Sequence, residues 1–200
     1  VDGHYFTTPN VDSAREEVLL RVSGTDLRLQ TDRGVFSHGR IDAGTEVLLH
    51  RAPEPPGRGN LLDLGCGYGP IALSLALKRK RAQLWAVDVN DRALELVAAN
   101  AEANKLSNVT ALRPEAVPED VRFAAIYSNP PIRVGKDELH RMLLHWLPRL
   151  NPDGNAYLVV QKYLGSDSLQ KWLIEQGYPT NRLISQVGYR ILHVKPKGSA

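Results

Sequence analysis

Two hundred residues, 42% of them hydrophobic and 24% charged, match one globular domain with a small appendage and suffice for a full core. The net charge of +3 is only mildly basic, so it supports an acidic partner in combination with other signals and not by itself. Cys66 is the single cysteine, which excludes an internal disulfide; with no membrane-length apolar run and no signal-peptide pattern, a cytoplasmic protein without a membrane partner is expected.

Residues 1–52 read as an N-terminal extension and 53–200 as the main domain. Tyr5 and Phe6 place an aromatic pair in an otherwise polar leader. Segments 18–22 and 27–31 are strand-like and flank Ser23-Gly24-Thr25-Asp26, a hairpin signal. Residues 34–40 form a loop, 42–49 a helix, and 53–59 a Pro/Gly linker. From Asn60 onward strands alternate with helices. Strands are predicted at 60–64, 83–88, 109–113, 124–128 and 155–161, with helices at 70–81, 91–104 and 135–150. A helix at 168–176 and a strand pair at 182–185 and 189–194, turning near Gly188, close the chain. Such alternation predicts an α/β, doubly wound, mostly parallel sheet with helices on both faces.

The segment Leu61-Leu62-Asp63-Leu64-Gly65-Cys66-Gly67-Tyr68-Gly69-Pro70 reads as a buried strand, a glycine turn and a helix start. Gly65, Gly67 and Gly69 let the backbone turn tightly beside a ligand. Cys66 fits there as a small residue more readily than as a reactive thiol. A dinucleotide fingerprint wants Gly-x-Gly-x-x-Gly, whereas Pro70 stands at the third glycine position here. A carboxylate at Asp63 opposes a pyrophosphate and attracts an ammonium, although an Asp before a turn also serves as a simple cap. Asp88, followed by Val89, lies a little over twenty residues after the turn, where an acidic side chain can take ribose hydroxyls. That contact supports a nucleoside cofactor in general.

The strand at 124–128 runs into Asn129-Pro130-Pro131-Ile132-Arg133. Two prolines fix the backbone and are expected to leave carbonyls without local N–H competitors, while Asn129 adds a side-chain carbonyl. Together these groups can accept hydrogens from a planar amine and orient its nitrogen. The competing reading is a rigid turn at a strand end.

Asp63-x-Gly65-x-Gly67-x-Gly69 together with Asp88 resembles the cofactor half of class I S-adenosylmethionine-dependent methyltransferases. Asn129-Pro130-Pro131 resembles the motif of enzymes that methylate adenine N6, guanine N2 or glutamine amides. With Tyr5-Phe6, Gly34-Val35-Phe36-Ser37, Asp42-x-Gly44-Thr45 and Gly188-Tyr189-Arg190, nearly the whole chain is similar to the small-subunit ribosomal RNA guanine-N2 methyltransferase (MTS domain) family and its single-domain members. The resemblance implies a seven-stranded Rossmann-like sheet with a terminal antiparallel hairpin and a small N-terminal hairpin extension. It also implies S-adenosylmethionine as cofactor, held by Asp63, Gly65, Cys66, Gly67, Gly69, Asp88, Val89 and Asn129, and ribosomal RNA or an assembling subunit as partner. Asn129, Pro130 and Pro131 become the catalytic residues. Ile132 stands where the family has an aromatic that sandwiches the target, so Phe36, Tyr5 or Phe6 is expected to replace it.

Arg133 and Lys136 fall on the active edge as substrate-binding cations, and Arg33, His38 and Arg40 join them if the N-terminal loop folds over the cofactor. The louder run Lys78-Arg79-Lys80-Arg81 belongs to the opposite edge. The histidines show no metal-ligand spacing, so no metal is expected, and His140 and His145 read as helix-surface residues. Nothing in the pattern specifies an oligomeric state.

Overall fold

Strict apolar–polar alternation builds the first two strands. In the computed structural model, which describes residues 11–186 and 188–199 and of Arg133 the backbone alone, β1 (Glu16–Val22) and β2 (Thr25–Thr31) pair antiparallel. Val18, Leu20, Val22, Leu27 and Leu29 all bury on one face of this hairpin. Helix α1 (Ala43–Arg51) follows, its N-terminus capped by Asp42.

The main sheet contains β3 (Gly59–Leu64), β4 (Ala82–Val87), β5 (Val109–Leu112), β6 (Phe123–Ser128), β7 (Leu150–Gln161), β8 (Thr180–Gln186) and β9 (Tyr189–Val194). Its order is β5-β4-β3-β6-β7-β9-β8, with β3 to β7 parallel and β9 inserted antiparallel between β7 and β8. The connecting helices are α2 (Pro70–Lys78), α3 (Asp91–Ala103), α4 (Lys136–Trp146) and α5 (Ser166–Glu175). Successive residues of β3 feed opposite layers. Leu61 packs with α1, α2, α3 and the hairpin, while Leu62 and Leu64 pack with α4 and α5. This is the doubly wound α/β sheet read from the sequence. The order in which strands are added reverses between the parallel neighbours β3 and β6, and their carboxyl ends open a crevice there.

Two helices are shorter than their patterns predict. Helix α2 stops at Lys78 because Arg79 leaves helical geometry (φ −131°, ψ 68°). There Lys78 and Arg79 both pair with Glu54, and Arg79 also donates to the Pro55 carbonyl. Helix α4 ends at Trp146, and Leu147–Arg149 tightens into a 3-10 turn around Pro148, which cannot donate to continue the ladder. Strand β7 begins earlier than predicted, at Leu150, and its register against β6 shifts between Phe123 and Ala125.

Side-chain amides bind the N-terminal hairpin to the core. Asn100, buried on α3, accepts from the Gln30 N–H at 2.7 Å and donates to the Gln30 carbonyl at 2.9 Å and the Tyr68 carbonyl at 3.0 Å. One turn later Asn104 repeats the pairing with the N–H and carbonyl of Arg28. Asn100→Ala leaves three backbone groups, among them the buried Tyr68 carbonyl, to find other partners, so we expect a loss of about 1–3 kcal/mol of unfolding free energy. Chemical denaturation checks this, and a loss below the error of the measurement would show that the amide pairing is immaterial.

Candidate active site

The crevice is built first from the glycine turn after β3. Gly65, Gly67 and Gly69 have φ of 74°, 54° and 97°, in the left-handed region that other residues avoid. A Cβ at Gly67 would meet nothing within 4 Å, so the turn opens onto free space. Four of its N–H groups are bonded within the protein. Gly65 and Cys66 donate to the Val87 carbonyl at 2.8 and 3.1 Å, Gly67 to Asp88 Oδ2 at 2.9 Å, and Gly69 to the Cys66 carbonyl at 3.0 Å. A phosphate cradle requires such groups to be free. The donors engaged in this way are not open to a phosphate, which suits a cofactor that carries none.

Asp63 lies fully buried behind the turn and is not on the crevice wall. Its Oδ2 accepts from the Ala72 N–H at 2.8 Å in the first turn of α2, so the capping role is real. Its Oδ1 has no hydrogen-bond partner. Burial, with a smaller push from the nearby Asp88 carboxylate and against the bond from Ala72, raises the carboxyl to about 8. Asp88, half-buried, accepts from the Asn90 N–H at 3.0 Å through Oδ1, and burial raises it too, against its bonds from Gly67 and Asn90. Burial likewise pushes the Cys66 thiol well up, which matches a packing residue and not a nucleophile. Val89 stays exposed at the rim.

The opposite wall is Asn129, just past β6. Its Nδ2 donates to Asp42 Oδ1 at 2.6 Å and to Thr45 Oγ1 at 3.1 Å. Ser128 fixes the strand end by donating to the Leu64 carbonyl at 2.6 Å. One expectation fails here. The proline carbonyls do have local donors, because the 3-10 turn Ile132–Val134 folds back and gives the Ile132 N–H to Pro130 O and the Val134 N–H to Pro131 O. A carbonyl has two lone pairs, so each keeps one. Ile132 packs towards the layer of α4 and α5.

Phe36, Ser37, Asp42, Thr45, Gly65, Cys66, Gly67, Tyr68, Pro70, Ile71 and Asn129 enclose a cleft of about 330 Å³, open to solvent. The N-terminal loop does fold over it. Tyr68 donates its hydroxyl to the Arg40 carbonyl, Asn90 its amide to the Gly34 carbonyl, and Arg92 its guanidinium to the Arg33 and Val11 carbonyls. Phe36, about half exposed, reaches the wall where an aromatic was expected. Tyr5 and Phe6 lie outside the described residues. His38 turns away, its Nε2 paired with the Ala14 carbonyl and near Glu16. His140 stacks on Trp172, and His145 is exposed against the edge of Trp146. Among the described residues no group of His, Cys, Asp or Glu is arranged to hold a metal ion, and no helix is long and apolar enough to cross a membrane.

Arg133 lies in the 3-10 turn, and Lys136 is exposed at the start of α4. A cation at a helix N-terminus opposes the macrodipole, so Lys136 gains nothing there structurally. The sequence reading gave no site role to Asp42, Thr45, Ser37 or Tyr68. Asp42 was legible as a helix start, and that local role conceals its second one.

The methyltransferase small domain model matches residues 26–193. The chain belongs to that family. It is therefore a class I S-adenosylmethionine-dependent methyltransferase, in keeping with its sheet order. It is 36% identical over 196 residues to an uncharacterized protein of Bacillus subtilis, YbxB, covering 96% of this chain and 98% of that protein. It is 33% identical over 171 residues to ribosomal RNA small subunit methyltransferase C of Hahella chejuensis, covering 84% of this chain and 49% of that enzyme. A solved 16S rRNA N2 methyltransferase (RsmC) of T. thermophilus, in complex with AdoMet and guanosine, superposes with a TM-score of 0.79 at 28% identity. That match covers 94% of this chain and 52% of the other, so the family member spans about half the length of these RNA enzymes.

The raised Asp63 pKa sets a pH dependence for the protein without ligand. The native state keeps a proton that the unfolded chain, with a carboxyl near its ordinary value of 3.8, releases. The stability from this group is complete below about pH 4 and is lost as pH rises towards 8. Asp63→Asn, which still accepts from Ala72, should remove that slope. Unfolding free energies of both proteins between pH 5 and 7.5 should diverge by at most roughly 1.4 kcal/mol per pH unit; parallel curves would mean that Asp63 is ionised in the native state.

Proposed function

We propose that this chain methylates the exocyclic N2 amine of a guanine in ribosomal RNA. The observation that carries the reading is the Asn129 side chain: its amide nitrogen is bonded to Asp42 and Thr45, which leaves Oδ1 as the acceptor at the cleft. Likeness to the rRNA enzymes of Hahella and T. thermophilus supports the substrate class.

Bound S-adenosylmethionine supplies an electrophilic methyl group. Gly65, Cys66 and Gly67 shape the floor that receives it, Gly69 starts the helix behind them, and Asp63 braces that helix start from below through its bond from the Ala72 N–H. Asp88 holds the turn through Gly67 and has lone pairs left for ribose hydroxyls, with Val89 beside it as an apolar rim. Asn129 Oδ1 and the remaining lone pair of the Pro130 carbonyl accept the amine hydrogens, which fixes the direction of the nitrogen, and Pro131 holds the turn rigid. Phe36 supplies the aromatic wall that Ile132 does not. Lys136 and Arg133 neutralise phosphates of the flanking strand.

In vitro transcribed small-subunit rRNA, methylated with labelled cofactor and digested to nucleosides, tests the reading by mass spectrometry. N2-methylguanosine is expected. Asn129→Ala should cut turnover by roughly 10²–10³ while cofactor affinity stays within a few-fold. N6-methyladenosine would reassign the base, and label entering only protein would reassign the substrate to a glutamine amide. Near-normal turnover in Asn129→Ala would reduce that residue to a turn former.

Salt dependence tests the cations separately. The slope of log affinity for RNA against log salt should fall by about one on Lys136→Ala. Lys80→Ala, at the far edge, should leave it unchanged. Equal effects of the two would remove Lys136 from the RNA path.

A further inference from the structure

Asp42 makes one more contact than a helix cap requires. A capping carboxylate needs only the backbone N–H that Thr45 gives it, at 3.1 Å. The same Oδ1 also takes Asn129 Nδ2 at 2.6 Å, across 87 positions of sequence. The buried Thr45 offers Oγ1 at 3.1 Å, so two acceptors meet the two amide hydrogens of Asn129. The amide therefore cannot turn over, because a reversed amide would set its oxygen against the Asp42 carboxylate. Packing closes the arrangement from behind: a Cβ at Gly44 would come within 2.8 Å of Tyr189 Cε1 and 3.0 Å of Asp42 Oδ1.

We propose that Asp42 and Thr45 are positioning residues for methyl transfer, holding the Asn129 amide so that its oxygen faces the cleft, with the Asp42 carboxylate also strengthening that oxygen as an acceptor. The proposal rests on Asn129 as the acceptor for the target amine. A hydrogen bond from Nδ2 to a carboxylate is stronger than one to a neutral group. Electron density drawn towards the amide carbonyl by that bond adds to its acceptor strength in a low-dielectric cleft. Helix α1 thus takes part in the chemistry through Asn129.

A double-mutant cycle on the rRNA transcript tests it. Asn is as good a helix cap as Asp, so Asp42→Asn should keep the melting temperature and should bind the cofactor within a few-fold in calorimetry. Its kcat should fall by roughly 10-fold or more, with little change in KM for the cofactor. In the Asn129→Ala background the same substitution should cost less than about twofold, because the group it positions is gone. Thr45→Val, which keeps the backbone N–H that caps the helix, should show a smaller loss that also vanishes without Asn129. Equal losses with and without Asn129 would assign both residues to α1 alone, and unchanged kcat in both single variants would overturn the proposal. A readout independent of substrate is the Asn129 side-chain NH2 in 15N-labelled protein. Its proton resonances should move upfield in Asp42→Asn, and unmoved resonances would also overturn it. Full turnover in Asn129→Ala, with the NH2 shift present, would instead fault the acceptor role and leave the clamp standing.

Discussion

The hydrogen bond from the Gly67 N–H to Asp88 governs the glycine-turn side of the crevice. It joins the turn after β3 to the end of β4, so two parallel strands present their carboxyl ends as one surface. The Val87 carbonyl completes the junction by taking the N–H groups of Gly65 and Cys66. Together these bonds engage three of the donors with which a glycine-rich turn usually meets phosphate. The electrostatic character of the site thus follows from backbone pairing as much as from the acidic side chains, and two carboxylates can stand near one turn because burial keeps them protonated more readily than in water.

The strand–turn–helix unit was legible because each residue in it has one dominant reason to be there. A run of Leu before three glycines and a proline admits few other structures, and the doubly wound, mostly parallel sheet followed from alternation. Lengths were less legible. The end of α2 depends on Glu54, twenty-four positions away from Lys78, and no local periodicity contains that pairing. The Asn129 motif was found, but the account of its prolines was incomplete. Rigid φ angles were anticipated, whereas the return of the Ile132 and Val134 N–H groups depends on the turn that follows. Asp42 was hidden because a capping Asp is sufficiently explained by its own helix.

The N-terminal extension is therefore part of the site's construction. Its loop reaches the glycine turn at Tyr68, the end of β4 through Asn90, and the end of β6 through Asp42. Three polar contacts to three different strand ends give a short segment a fixed place above the crevice. Asp32 holds its base: although burial raises it, hydrogen bonds from Ser13, Ala14 and Arg33 and the charge of Arg92 outweigh that and keep its carboxyl below the ordinary value.

The paired amides of Asn100 and Asn104 also bear on how the chain meets its own copies. A two-stranded ribbon leaves two rows of unpaired backbone groups, and such rows recruit further strands. On β2 the N–H and carbonyl of Arg28 and Gln30 are already occupied by α3, two residues apart as a neighbouring strand would require. A helix thus imitates a third strand there with two side chains. Edge-to-edge growth along that side of the ribbon is blocked by chemistry internal to the fold, because the backbone groups that a further strand would need are already bonded.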